Sequence, residues 1–355
     1  MKPYTYVSLF SSAGVGCFGF KEEKYDCVLT NELVERRMEV QKCNAKCSDP
    51  RGYLCGDITD PEIQKYALNY INEYKQNKKL KDIDVVVATP PCQGMSVANH
   101  KKAKDEIIRN SLVLEAIHLI SLIKPKVFIF ENVSAFMNTK CGKEGQERKI
   151  SEAIHEELDD LYKFESKIIN FKDYGAHSSR SRCLVLGVRK DVHLNIDDLW
   201  PSKENSKTMR DLIYSLPRLK IMGESYKSDI YHNFKSYKSH MRDWIRDLKP
   251  GENAFDNLDP LKRPHQIKDG ILIPNVNKNG DKYSRQIWDK TPPCIHTRND
   301  ILASQNTVHP EDDRVFSLRE LMIFMNIPEN FKWTNHTLSE LNELNEIEKK
   351  AYLKK

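Results

Sequence analysis

Nowhere in its 355 residues does the chain hold a run of roughly 18 consecutive apolar residues, the length that a membrane-spanning helix needs. Its N-terminus enters an apolar, strand-like stretch without a cleavable signal pattern, so a cytoplasmic protein is expected, with no membrane partner. Framework spacing is missing among the nine cysteines, which argues against a disulfide scaffold and for free thiols in a reducing compartment. Cys43, Cys47 and Cys55 lack a second cysteine pair or a histidine pair nearby, so they fall short of a zinc set and no metal is expected. Internal repeats and long low-complexity linkers are also absent. Neither sign of charge dominates: 56 lysines and arginines against 51 acids leave a net of +5, which permits a polyanionic partner without demanding one.

What is present is an alternation, over the first half, of short β-rich runs and helix-like stretches, the signature of an α/β fold with a parallel sheet covered on both faces. Tyr4 to Phe10 reads as the first strand, followed by a helix beginning near Gly16, a strand from Asp26 to Thr30 and a helical run from Glu32 to Cys43. Asp84 to Ala88 and Lys126 to Phe130 read as buried strands. Between them Leu112, Ala116, Leu119, Ile120 and Ile123 recur at helical spacing, which predicts a crossover helix within Ile107 to Ile123. Phe164 to Phe171 and Arg182 to Val188 form a closing pair joined through Gly175. From about Asp191 to Lys290 the text turns polar, rich in Lys, Asn, Asp, Ser and Tyr, and predicts a second lobe. A helix-like stretch resumes at Ser317 to Met325, and Leu338 to Lys355 forms a charged amphipathic tail with Leu338, Leu341 and Leu344 on one face. The expected organisation is a first domain over residues 1–190, a lobe over 191–290 and a segment over 291–355 that leads back to the first domain.

Three features carry chemistry. Gly14-Val15-Gly16-Cys17-Phe18-Gly19 follows the first strand, and Glu32 ends the next, where an acid is placed to hold ribose hydroxyls. A glycine turn admits a ligand to the backbone and a helix N-terminus favours an anion, so an adenosine-bearing cofactor with a carboxylate satisfies the pattern as well as a nicotinamide does. In Asp84-Val85-Val86-Val87-Ala88-Thr89-Pro90-Pro91-Cys92-Gln93-Gly94 a buried strand delivers a cysteine, through a rigid double proline, to the sheet's carboxyl edge. A thiol held there serves as a nucleophile if its surroundings lower its pKa. Thr291-Pro292-Pro293-Cys294 repeats the four letters, but without a β-branched run before it or Gln-Gly-Met-Ser after it, and Cys92 is the expected nucleophile. The next strand ends in Phe130-Glu131-Asn132-Val133, which brings a carboxylate to the same edge, and Arg180 and Arg182 point the same way as they lead into a later strand.

Taken together these residues resemble the C5-cytosine DNA methyltransferases common in bacterial restriction-modification systems, over most of the chain. The resemblance implies a Rossmann-like mixed sheet with helices on both faces, dependent on S-adenosyl-L-methionine, plus a smaller irregular target-recognition lobe at 191–290. Leu9-Phe10 with Ser11 to Gly16 resembles the first cofactor motif, which implies contacts from Phe10, Ser12, Gly14 and Gly16. Asn31-Glu32 resembles the ribose-binding acid, and Leu33 stands where a larger side chain often stacks on adenine. Gly56-Asp57-Ile58-Thr59 matches the segment whose aspartate reads the adenine amino group, and Arg109-Asn110-Ser111-Leu112 resembles a further cofactor-contacting motif. Pro90-Pro91-Cys92-Gln93 matches the catalytic loop, and Glu131-Asn132-Val133 the motif whose glutamate engages the target cytosine. Tyr174-Gly175 through Arg182 resembles the family's arginine motif, with His177 where proline is usual and Ser178 where glutamine is usual; Arg180 and Arg182 carry over. Arg319-Glu320 followed by Met325-Asn326-Ile327-Pro328 resembles the segment that organises the recognition lobe. The family's final motif, which closes the cofactor pocket, does not occur before Lys355, which implies a truncated chain or a second polypeptide that supplies the piece.

The chemistry so implied needs no metal. Cys92 thiolate adds to C6 of a cytosine flipped out of double-stranded DNA, and Glu131, protonated or sharing a proton with N3, stabilises the charge that develops on the ring. Tyr226, Tyr231, Phe234, Tyr237 and Trp244, interleaved with Lys227, Lys235, Lys238 and Arg242, suit a nucleic-acid surface and equally the lobe's own small core. Three other readings stand beside this one: an RNA cytosine-5 methyltransferase, a DNA-binding fragment inactive until complemented, and, last, a nicotinamide oxidoreductase.

Overall fold

The computed structural model describes residues 3–91, 110–142, 146–276 and 281–353. They divide into two units: Met1–Asn170, Ser181–Ser202 and Phe331–Asn335 form the first, and Phe171–Arg180, Lys203–Asn330 and His336–Lys355 the second.

The first unit is built on a seven-stranded sheet. Its strands are β1 (Thr5–Leu9), β2 (Asp26–Glu32), β3 (Tyr53–Cys55), β4 (Val85–Ala88), β5 (Val127–Asn132), β6 (Tyr162–Asn170) and β7 (Ser181–Arg189), in the order β3-β2-β1-β4-β5-β7-β6. β1 to β5 run parallel, and β7 lies antiparallel to both β5 and β6. The alternation of side chains along these strands loads both faces. Val7, Leu9, Val86, Ala88, Phe128 and Phe130 point into one core, and Tyr6, Val85, Val87 and Val127 into the other. The first face is covered by α3 (Pro61–Lys78), α4 (Leu112–Ile123) and α5 (Ile150–Leu158), which follow α1 (Phe18–Glu22) and α2 (Glu35–Cys43) in the chain. In α3, Ala67, Tyr70, Ile71 and Tyr74 recur at helical spacing on its buried side, and Asp60 caps its start by accepting from Glu62 N–H. The second face is covered in part by Val192, Ile196 and Leu199, and Trp200 Nε1 donates to Glu165 at 2.8 Å, which ties the stretch after β7 to the sheet.

β2 runs on to Glu32, so the helical run expected from Glu32 starts at Glu35 instead. The expected crossover helix is seen from Leu112; Ile107 to Arg109 lie outside the described residues. The tail forms two helices, Leu338–Glu343 and Glu346–Leu353, because Asn345 between them caps the second by accepting from the N–H groups of Ile347 and Glu348.

In the second unit the interleaved aromatics are mostly core. Phe234 and Trp244 pack with Ile245, Leu248, Tyr283 and Val315, while Tyr237 OH donates to Asp313 O at 2.7 Å. Arg242 spends its guanidinium on the carbonyls of Asp313 and Lys220, and Lys235 pairs with Asp300. The Arg319-Glu320 motif is structural here: Arg319 pairs with Asp229, and the fully buried Glu320 binds Arg314 through both oxygens at 2.8 Å. A cavity of about 230 Å³ beside this pair is lined by charged side chains that bond one another, among them Arg218 with Glu311 and Arg314 with Glu320. Among the described residues no helix is long and apolar enough to cross a membrane, and no three His, Cys, Asp or Glu side chains stand together as a metal set.

Candidate active site

Five parallel strands release their chains at one edge, and the residues singled out by the sequence emerge there in order: Phe10 to Gly16 after β1, Glu32 and Leu33 at β2, Asp57 and Ile58 after β3, Pro90 after β4, and Glu131 at the end of β5.

The loop after β1 is held in an unfavourable backbone conformation. Phe10 (φ 56°) and Ser12 (φ 48°) both lie in the left-handed region, as does Gly14 (φ 84°), and two non-glycine residues there cost about 1–3 kcal/mol each. Hydrogen bonds over-determine the loop. Thr89 Oγ1 donates to Phe10 O at 2.9 Å, Gln41 Nε2 donates to Ser12 O at 2.6 Å and to Ser11 Oγ at 2.8 Å, and Ser12 N–H donates to Glu32 Oε2 at 2.8 Å. Thr30 and Asn31 finish the arrangement: Thr30 Oγ1 bonds Ser11 and Gln41, and Asn31 Nδ2 reaches the carbonyls of Leu54 and Gly56 to fix the end of β3 against β2. Thr30, Gln41 and Thr89 have no part in the sequence reading of the cofactor site; for Thr30 and Thr89 the one signal is polarity at the end of an otherwise apolar strand, and Gln41, in a largely polar helix, has none.

The glycine pattern needs a correction. Gly14 alone is demanded by the backbone, since its φ is positive and a Cβ there would lie 3.0 Å from Gln41 Cγ. Gly16 and Gly19 have no positive φ, and a Cβ on either would meet nothing within 4 Å. A short 3-10 turn, Val15–Cys17, precedes α1, and α1 itself has five residues, too few to build the end charge of a longer helix. The expected anion site at that helix start is therefore not formed by α1.

The remaining residues suit an adenosine-bearing cofactor. Glu32, whose side chain is 6% exposed, accepts from Ser12 N–H, Val34 N–H and Arg37 Nη1, and a carboxylate with about four acceptor positions keeps room for a ribose hydroxyl. Next to it Leu33 is 64% exposed, an apolar surface that the fold leaves uncovered and that fits the face of a purine. Asp57 is exposed; its Oδ1 accepts from the N–H and Oγ1 of Thr59, and its Oδ2 makes no bond among the described residues. Ile58 points its side chain into the core at 3% exposure, so what it offers a ligand is backbone. Ser111 precedes α4, where its Oγ exchanges hydrogen bonds with the N–H and carbonyl of Gly142 at 2.9 Å, and Leu112 begins the helix half-buried.

Cys92 lies outside the described residues, but the strand that leads to it does not. Thr89 N–H donates to Leu9 O, Pro90 is buried, and Asn132 Nδ2 donates to Pro90 O at 2.9 Å. The residue after Glu131 thus fastens the backbone two positions before Cys92. Glu131 itself forms an ion pair with Arg182, Nε to Oε1 at 3.1 Å, the two being 27% and 16% exposed. Arg180 belongs to the second unit, where its Nη1 lies 3.9 Å from Cys294 Sγ and its carbonyl accepts from Phe171 N–H. The second Thr-Pro-Pro-Cys stretch lies in that unit too; Pro292 O accepts from Ser179 N–H at 2.8 Å, which makes it a brace for the 171–180 connection.

A family model described as C-5 cytosine-specific DNA methylase matches residues 4–343. The Type II methyltransferase M1.HgaI of Avibacterium volantium is 27% identical over 343 residues, which cover 93% of this chain and 90% of that protein. The Type II methyltransferase M1.HphI of Haemophilus parahaemolyticus is 25% identical over 96% of this chain and 82% of its own. Among solved structures, a putative DNA modification methyltransferase encoded within an E. coli prophage superposes with a TM-score of 0.63 at 17% identity, over 93% of this chain and 90% of that one. Spodoptera frugiperda DNMT2 gives 0.56 at 14% identity over 99% and 98%, and both likenesses speak to the fold. A parallel sheet with an adenosine-type cradle at one edge, a Pro90-Pro91 exit beside a strand-end glutamate and a family match across nearly the whole length leave one assignment: the chain belongs to the C-5 cytosine-specific DNA methylases, and it is a DNA (cytosine-5) methyltransferase.

Proposed function

We propose that this chain methylates C5 of a cytosine flipped out of a specific sequence in double-stranded DNA, with Cys92 as nucleophile and S-adenosyl-L-methionine as donor, and that it protects its own cell's DNA in the cytoplasm as the modification half of a restriction-modification pair. The observation that carries the reading is the Asn132–Pro90 hydrogen bond, which couples the cysteine exit to the strand that ends in Glu131. The description of its relatives as Type II methyltransferases supports the biological role.

Glu32, Leu33 and Asp57 would hold the ribose and adenine, with the backbone of Phe10 to Gly16 and Ile58 beside them. When bound, S-adenosyl-L-methionine supplies a methyl group on a sulfonium, an electrophile for an electron-rich carbon. C5 of cytosine becomes such a carbon once Cys92 thiolate forms a bond to C6. Glu131 in its protonated form, oriented by Arg182, gives a proton to N3 as this addition pushes an electron pair onto that nitrogen, and takes it back when the ring is restored. After C5 is substituted, loss of its proton and expulsion of the Cys92 thiolate restore the aromatic ring. Flipping the base costs a few kcal/mol of unstacking, which phosphate contacts offset.

Duplex DNA carrying 5-fluorocytosine blocks proton loss and traps the adduct. A denaturation-resistant complex that needs S-adenosyl-L-methionine and disappears in Cys92→Ala, but persists in Cys294→Ala, is the expected result, and it would show that the 355 residues need no second chain. A complex that persists in Cys92→Ala overturns the choice of nucleophile. DNA binding without any complex would instead point to a second polypeptide that completes the site.

A further inference from the structure

In the second unit a two-stranded hairpin, His265–Lys268 with Ile271–Pro274, turns through Asp269 (φ 50°) and Gly270 (φ 77°). Both central residues are left-handed, which is the two-residue turn that matches the twist of the strands and fixes their register. The pairs are His265 with Pro274, Gln266 with Ile273, Ile267 with Leu272, and Lys268 with Ile271. Paired residues share a face and successive pairs alternate. One face therefore carries His265, Ile267, Leu272 and Pro274, and the other Gln266, Lys268, Ile271 and Ile273.

The two faces are anchored differently by the fold. On the first, His265 and Leu272 are half-buried, and the His265 ring lies 5.3 Å from that of Trp244, a core residue, while Ile267 (69%) and Pro274 are exposed. On the second, all four side chains are exposed, with Ile271 at 66% and Ile273 at 44%. Gln266 and Lys268 make no side-chain hydrogen bond or ion pair among the described residues, so an amide and a cation stand ready beside two bare β-branched side chains. An amide, a cation and two exposed β-branched side chains thus share one solvent-facing surface.

We propose that this face is a base-reading element that enters the major groove of the substrate duplex. The proposal rests on the reading of duplex DNA as substrate. Its chemistry matches what that groove presents: glutamine pairs with the N6 and N7 edge of adenine, lysine with O6 and N7 of guanine, and apolar side chains with the thymine methyl. Lys268, without an acidic partner, also complements the polyanion. The dimensions agree. Two strands about 4.8 Å apart fit a groove about 12 Å wide, and the two pairs on the face are separated by about 7 Å along the strands, the rise of two base steps. The hairpin is thus sized to read two or three adjacent base pairs, and His265 on Trp244 gives it a fixed footing.

Duplexes bound by the full chain are selected from a random-sequence library and compared with those bound by Gln266→Ala, Lys268→Ala and Ile273→Ala, all exposed positions. The wild type is expected to select one sequence, and each variant to lose preference at one or two neighbouring positions by about 5- to 150-fold while keeping the rest. Variants that select the wild-type sequence with undiminished preference overturn the proposal, as does uniform weakening on every sequence, which is the mark of a phosphate contact. Altered self-association by sedimentation with unaltered selection would make the face a protein contact and overturn it too. A wild type that selects no sequence defeats the parent reading of the substrate, an outcome distinct from unaltered variants.

Discussion

At the scale of single residues, side-chain amides do much of the positioning at the sheet edge. Asn31, Gln41 and Asn132 each reach from one strand end or helix to the backbone of a neighbouring loop, and each is buried. An amide buried there is tolerated only with its bonds made, so its removal leaves a carbonyl unsatisfied at about 1–3 kcal/mol. Asn132→Ala should therefore lower methyl transfer by about 5- to 150-fold, through a displaced Cys92 loop, while the affinity for S-adenosyl-L-methionine stays near that of the wild type. Single-turnover transfer and equilibrium cofactor binding measured side by side check this; a parallel loss of both would mean that Asn132 merely supports the fold. The motif letters Pro90-Pro91-Cys92 and Glu131-Asn132 were legible in the sequence because adjacent residues spell them. Gln41 and Thr89 were not, because their bonds span 29 and 79 positions and depend on which strands become neighbours.

At the scale of elements, the order of the sheet makes demands that no local pattern announces. Gly187 in β7 pairs with both Phe128 and Phe164, and a Cβ on it would lie 2.0 Å from Phe128 Cε1. The aromatic ring lies across the glycine, which explains a strand interior that tolerates one. Gly187→Ala should destabilise the first unit by about 1–3 kcal/mol, and Phe128→Leu should recover part of this by giving the methyl room. Urea midpoints for the two single variants and the double variant test the point: a coupling energy of about 1 kcal/mol or more is expected, and strict additivity would refute it. The strands other than β3, and α4, follow from runs of β-branched residues and helical spacing, and the strand ends agree or shift by at most two residues. Residues 191–290 were read as a polar lobe and 291–355 as a segment leading back to the first domain, whereas the second unit takes in 171–180, 203–330 and 336–355; its aromatics were ambiguous, because each short run there finds its partners far along the chain. Trp244 meets Tyr283, and Tyr231 OH bonds Tyr352 OH across 121 positions.

At the scale of the whole molecule, one of the two units holds a buried group that titrates on the acid side of neutrality. The second encloses His309, 2% exposed, between Trp288 and Phe316, with Glu320, Asp312, Arg314 and Arg218 facing it. Its Nδ1 accepts from the N–H groups of Glu311 and Asp312, which fixes the neutral ring. Burial, more than the mixed charges around it, pushes the His309 pKa down to about 4. A folded-state value below the unfolded value of about 6.5 means that the unfolded chain binds the extra proton first. The stability this group contributes is therefore complete above about pH 6.5 and is lost as the pH falls toward 4, in all roughly 3 kcal/mol. Glu320, held down to about 2 against desolvation by the Arg314 guanidinium, adds its own loss only below about pH 4.5. Between pH 7 and 5 the second unit should thus weaken through one imidazole. His309→Asn, whose side-chain oxygen can still accept the two backbone N–H groups, should flatten the dependence at some cost in packing. Urea unfolding of both proteins at pH 7.5, 6 and 5 decides the matter. The wild type should lose about 2 kcal/mol over that range and the variant little, whereas equal losses would place the acid sensitivity elsewhere.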